Sequence, residues 1–194
     1  MDKTVTISVE TIREFVIAGH GNLARIKQML DETPSLLNMS YQWGENDWES
    51  AIQAAAHLGN VSVAEYLLSK GAPLEICTAA MLGRKADIES LLARDEALIK
   101  QAGAHGISIL AHAAFNGDVG LFAYLISRGA EDGISQALHN AVDSGHVELA
   151  KWILENTSPD FTWTNFEGNT ILTVAIEQRN QELQDLLRSH GALS

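Results

Sequence analysis

Residues 108–130 read Ser108-Ile-Leu-Ala-His-Ala-Ala-Phe-Asn-Gly117-Asp118-Val-Gly-Leu-Phe-Ala-Tyr-Leu-Ile-Ser-Arg-Gly129-Ala130. A hydroxyl residue suited to a helix N-cap opens the stretch, and a short Ala-rich run follows it. A glycine breaks that run, a polar residue comes next, and a second amphipathic run ends in an aliphatic pair. The pattern describes two helices joined by a tight glycine turn. Small residues on the first helix let the second approach closely.

The same frame recurs along the chain. It appears as Gly59-Asn60 to Leu67-Leu68, Gly83-Arg84 to Leu91-Leu92, and Gly145-His146 to Ile153-Leu154. Gly21-Asn22 to Met29-Leu30 matches it, and a sixth copy has Arg179 in the glycine slot before Leu186-Leu187. Leu23, Ile26 and Leu30, like Val63, Tyr66 and Leu67, keep helical spacing. Ser50, Ser108 and Thr170 each open an Ala-rich or aliphatic first run. A hairpin of this kind cannot bury its apolar faces alone and must stack on copies of itself.

These repeats resemble the ankyrin family over roughly residues 9 to 192, with Gly168-Asn-Thr-Ile-Leu-Thr-Val-Ala and Gly106-Ile-Ser-Ile-Leu-Ala-His-Ala as the best copies. No repeat carries the family's proline, and His139 alone occupies its usual histidine slot. Residues 41–50, Tyr-Gln-Trp-Gly-Glu-Asn-Asp-Trp-Glu-Ser, also resemble a bacterial ankyrin subgroup without a defined activity. The resemblance implies an all-α solenoid of about six helix–turn–helix units. One repeat domain over 9–194 is expected, behind a short lead-in at 1–8.

Spacing adds detail. The markers at 21, 59, 83, 117, 145 and 179 stand 38, 24, 34, 28 and 34 residues apart. A full ankyrin unit of about 33 residues includes a hairpin finger. The two short intervals leave little room for one, so short loops are expected there and three longer fingers elsewhere, at about 33–49, 95–107 and 156–169. The last copy, with Glu177 through Asp185 largely polar, reads as a solubilising cap.

Composition narrows the function classes. Of 194 residues 46% are hydrophobic and 20% charged, which excludes a disordered chain. Cys77 is the single cysteine, so there is no disulfide framework. No apolar run approaches the roughly 20 residues of a membrane span, and no membrane partner is expected. The opening Met-Asp-Lys-Thr-Val-Thr-Ile-Ser lacks a signal-peptide core, so a cytoplasmic, reducing location is expected. With 25 acidic against 13 basic residues the net charge is −12, which disfavours nucleic acid.

The chemistry-bearing residues read as structural. Seven histidines fall about one per repeat, at loops and helix ends, without the i, i+4 spacing of a metal motif. Cys77 sits in a first helix as a small core thiol. No catalytic residue, metal or cofactor is expected, and the chain reads as a non-enzyme.

What remains is a surface for another protein. By family resemblance, ankyrin proteins bind through finger tips and the exposed end of the first helix. Carried onto this chain, that row joins Trp43, Trp48, Leu58, Met81, Leu82 and Phe115, with Glu45, Asp47, Asp143 and Glu177 around them. No Lys or Arg lies between Gln28 and Ser69, and Arg128 is the single one in 101–150. An apolar groove edged by carboxylates suits a basic segment of a partner protein, bound by a monomer. An immunity or inhibitor protein that masks a basic toxin or enzyme is one version of that reading. The rival from another class is an enzyme or metal site in the groove, marked by a convergent cluster of His, Cys77 and carboxylate.

Overall fold

A computed structural model describes residues 7–193, so the first six residues of the expected lead-in lie outside the described range. Ser8 is already structural, since its hydroxyl caps the first helix by accepting from the Thr11 N–H. Within the described residues the chain forms six helix pairs. They are α1 (Val9–Gly19) with α2 (Leu23–Glu32), α3 (Ala51–His57) with α4 (Val61–Ser69), and α5 (Ile76–Met81) with α6 (Lys85–Arg94). The rest are α7 (Ile109–Ala113) with α8 (Val119–Ser127), α9 (Ile134–Asp143) with α10 (Val147–Asn156), and α11 (Ile171–Glu177) with α12 (Gln181–Ser189).

Local chemistry sets the helix ends. Ser50 and Gln53 form a capping box at α3, while Ser108 and Thr170 accept from the N–H groups of Ala111 and Thr173. Asn22, Asn60, Asp118 and Asn180 cap second helices in the same way. Each such cap contributes about 1 kcal/mol. Between the helices, Gly59, Gly83, Gly117 and Gly145 turn through the left-handed region with φ between 68 and 77°. Arg179 adopts φ 56° in the same slot, which fixes the register of the sixth copy. Gly21 stays outside that region, because the α1 turn closes instead with the Asn22 N–H on the Ala18 carbonyl.

The first helices pack side by side in chain order, and small residues make this possible. A Cβ on Gly19 would lie 2.5 Å from the Ala51 carbonyl oxygen, so α1 meets α3 at backbone contact. Ala54, Ala55, Ala79, Ala80, Ala111, Ala113, Ala137 and Ala141 continue the seam and are all buried. The second helices cover it with Ile26, Leu67, Ile88, Leu92, Leu125, Leu149, Ile153 and Leu187. Each of these aliphatic side chains contributes roughly 1.5–3 kcal/mol through burial.

Long connections occur before α3, α7 and α11, and short loops join α4 to α5 and α8 to α9, as the intervals predict. The first long connection carries a two-stranded antiparallel hairpin, β1 (Ser40–Gly44) and β2 (Asp47–Ser50), with Tyr41 opposite Glu49 and Gln42 opposite Trp48. The second is built from tight turns at 96–100 and 104–106, and the third from a bridge between Thr164 and Thr170. With no finger before α5, nothing separates the first finger from the second. Strand β2 therefore packs directly against the 104–106 turn.

Candidate functional site

Along the first-helix side runs an open cleft of about 880 Å³. Leu58, Ile107, Phe115, Trp163 and Phe166 supply its apolar lining, and Asp143 and Glu167 stand at its acidic end. Phe166, on the third finger, is 93% exposed and shares the cleft lining with Leu58, Phe115 and Trp163, so the apolar surface there is contiguous rather than scattered. Phe115 reaches across the short third repeat to Gly59, where any added Cβ would lie 2.7 Å from its ring. His139 also faces the cleft, stacked edge-on against Trp163 at 4.6 Å between ring centroids. Burial lowers its pKa to about 4, so the ring is neutral, and its Nε2 has no hydrogen-bond partner within the chain.

At the other end of the cleft lies a polar cluster. Strand alternation turns Trp48 outward and Glu49 inward, and the Glu49 side chain is fully buried. Three imidazoles converge on its Oε1: His57 Nε2 at 2.9 Å, His105 Nε2 at 3.3 Å and His20 Nε2 at 3.5 Å. They come from the end of α3, the second finger and the C-cap of α1. The Trp43 indole N–H donates to the other carboxylate oxygen at 2.6 Å. Burial by itself raises the Glu49 pKa, but the adjoining His57, the field of His20 and the Trp43 bond outweigh it and hold the carboxyl low. Around this core, Trp43 stacks edge-on against Tyr41, and the Arg13 guanidinium lies 5.6 Å from the Trp43 ring.

Asp47 fastens the second finger to the first. Its carboxylate accepts from both the ring Nδ1–H and the backbone N–H of His105, at 2.8 and 3.2 Å. The hydrogen bond from His105 keeps the Asp47 carboxyl below its ordinary pKa. His105 itself stands in the left-handed region at φ 58°, a conformation held in place by these two bonds.

The residues expected at a binding surface divide accordingly. Leu58, Phe115 and Asp143 line the cleft. Trp43 and Asp47 belong to the polar cluster instead, as hydrogen-bonded supports of Glu49 and His105. Trp48 and Glu45 are exposed on the hairpin, and Glu177 is exposed on α11, outside the cleft lining. Met81, expected on the surface, is instead 1% exposed and part of the first hydrophobic core, that of Phe15, Ile52 and Leu67. As the last residue of α5 it sits inside the stack, with Leu82 and Phe115 packed on the same core. Cys77 is no part of either cluster; it is buried, lies 3.5 Å from the Gln101 carbonyl, and has its pKa pushed up to about 12 mainly by burial.

The sequence reading puts the histidines at loops and helix ends, and the structure does place His20, His57 and His105 there. It misses that three repeats bring them to one carboxylate. One signal was available: His20 and His57 both stand just ahead of a repeat marker, and equivalent positions of stacked repeats are neighbours.

A family model described as Ankyrin repeats (3 copies) matches residues 110–193, and another, Ankyrin repeat, matches residues 47–79. The chain belongs to the ankyrin-repeat family. Over 66 residues it is 33% identical to I-Kappa-B like protein C2 of Microplitis demolitor bracovirus (isolate Webb), a match covering 34% of this chain and 36% of that one. The chain thus spans about a third of the length of the curated relative it matches. Ankyrin repeats generally mediate protein–protein interaction. Among the described residues no helix is long and apolar enough to cross a membrane.

Proposed function

We propose that this protein is a non-catalytic binder that takes a basic, amphipathic segment of a partner protein into the first-helix cleft. The observation that carries this reading is the cleft itself: exposed Phe166 and Leu58, half-buried Phe115, and the carboxylates of Asp143 and Glu167 in one concave surface of about 880 Å³. Large apolar side chains in such a surface serve as anchors, and rim carboxylates select a basic partner and speed its encounter. Masking of a basic toxin or enzyme, as an immunity protein does, uses the same contacts. The chain acts as a monomer in the cytoplasm, a setting that the lone Cys77 thiol supports.

The polar cluster is what an enzyme reading would need, and Cys77 does not join it. A thiol with a pKa near 12 is not a nucleophile at neutral pH. The test of the binding reading compares the wild-type chain with Phe166→Ala and Phe115→Ala in partner capture, with melting followed in parallel. Capture lost at unchanged melting supports the cleft. Capture retained by both folded variants contradicts it.

A further inference from the structure

The hydrogen bonds around Glu49 fix the tautomers of two of its three histidines. Asp47 can only accept, so His105 carries its proton on Nδ1 and presents an Nε2 lone pair to Glu49. His20 directs Nδ1 at the Ile17 carbonyl, 3.2 Å away, which again places the proton on Nδ1 and the lone pair on Nε2. His57 Nε2 and Glu49 Oε1 are both fully enclosed and, although 2.9 Å apart, neither has an aligned hydrogen-bond partner. Three ring nitrogens thus crowd a buried carboxylate oxygen with no aligned N–H between them and it. A buried carboxylate oxygen in that state is costly unless a cation lies beside it.

A proton is a poor candidate for that cation. None of the three rings aims an N–H along the line to Oε1. Charging all three would crowd imidazolium rings whose centroids are 5.0 and 5.2 Å apart around one carboxylate. A metal ion uses the lone pairs as they stand. An ion with tetrahedral bonds of about 2.0–2.1 Å separates its ligand atoms by roughly 3.3–3.5 Å. The distances from Oε1 to His57 and His20, 2.9 and 3.5 Å, lie on either side of that edge, and the ligand atoms of His20, Glu49 and His57 all lie within 4.8 Å of one another.

We propose that His20 and His57, through Nε2, and Glu49, through Oε1, bind one divalent transition-metal ion of the zinc class. Two imidazoles and one carboxylate suit such an ion and exclude the all-oxygen shells of calcium or magnesium. His105 approaches Oε1 at 3.3 Å but does not join the set. The outer supports are in place. The Ile17 carbonyl holds the His20 ring by its far nitrogen, and the Trp43 indole holds the second carboxylate oxygen. The three protein ligands join α1, the hairpin and α3 beside the cleft and leave the fourth position of a tetrahedral ion open.

The test uses the full chain, stripped with chelator and titrated with cobalt(II), and then with zinc in competition. One ion per chain and visible ligand-field bands of a tetrahedral cobalt site are expected, with zinc raising the melting temperature. Glu49→Gln and His20→Gln should each weaken binding by about 100-fold or more. His190→Gln, a control remote from the cluster in the last repeat, should change nothing. If Glu49→Gln does not fold, His20→Gln decides, since His20 is partly exposed at the C-cap of α1. Absence of saturable cobalt binding by the wild-type chain overturns the proposal. So does an affinity that His20→Gln leaves unchanged.

Discussion

Asp47 and His105 stand 58 residues apart in sequence, yet one carboxylate holds both the ring and the backbone N–H of the histidine. The contact follows from the repeat spacing. The interval of 24 residues between Gly59 and Gly83 leaves no finger before α5, so the first and second fingers become neighbours. Asp47→Ala should therefore release the 104–106 turn without unfolding the stack. Both partners are partly exposed, so a loss of about 1–2 kcal/mol is expected, checked by urea unfolding. Faster hydrogen exchange should be confined to residues near 103–108.

Acid should destabilise the chain well above the ordinary carboxylate range. Burial lowers the pKa of His112 from 6.5 to about 4, so the unfolded state binds its proton first as pH falls. Stability from this group is complete above pH 6.5 and is lost as pH drops toward 4. The whole loss is about 3 kcal/mol at about 1.4 kcal/mol per unit. His139 acts over the same window. Glu49 and Asp47, both lowered, add a loss at more acid pH, as protons enter below their unfolded values. His112→Gln should flatten the slope of stability against pH between about 6.5 and 4, measured by denaturant midpoints.

Met81 and Phe166 should behave oppositely. Met81→Ala opens the first core and should cost about 2–5 kcal/mol. For a chain of this length that is roughly 2–4 °C of melting temperature per kcal/mol. Phe166→Ala removes a side chain that is 93% exposed and should stay within about 0.5 kcal/mol. Scanning calorimetry separates the two directly.

Arg179 holds a left-handed conformation that suits glycine better. Arg179→Gly should stabilise the last repeat by about 0.5–1 kcal/mol, the relief of strain exceeding the added chain entropy. Slower hydrogen exchange in α12 is the corresponding local signal.

Much of the fold was legible because it is written locally. The caps Ser50, Ser108 and Thr170, the glycine markers and the uneven intervals each act within one repeat or between adjacent ones. Even the irregular slot at Arg179 kept its register. The polar cluster was not legible, because His20, Glu49, His57 and His105 form no sequence motif. They meet only after three repeats stack and two fingers come together. Met81 was misplaced for a related reason. Its burial comes from packing against Ile52, Ala55 and Leu67 of the preceding repeat, which a position at the end of α5 does not reveal.

Binding of a partner protein in the first-helix cleft can be read by hydrogen-exchange mass spectrometry on the captured complex. Peptides spanning Leu58, Ile107, Phe115, Gln136–Asp143 and Trp163–Glu167 should be protected, with the outer faces of α2, α4 and α6 unchanged. Protection confined to those outer faces, with the cleft peptides exchanging as in the free chain, would mean that the partner docks elsewhere.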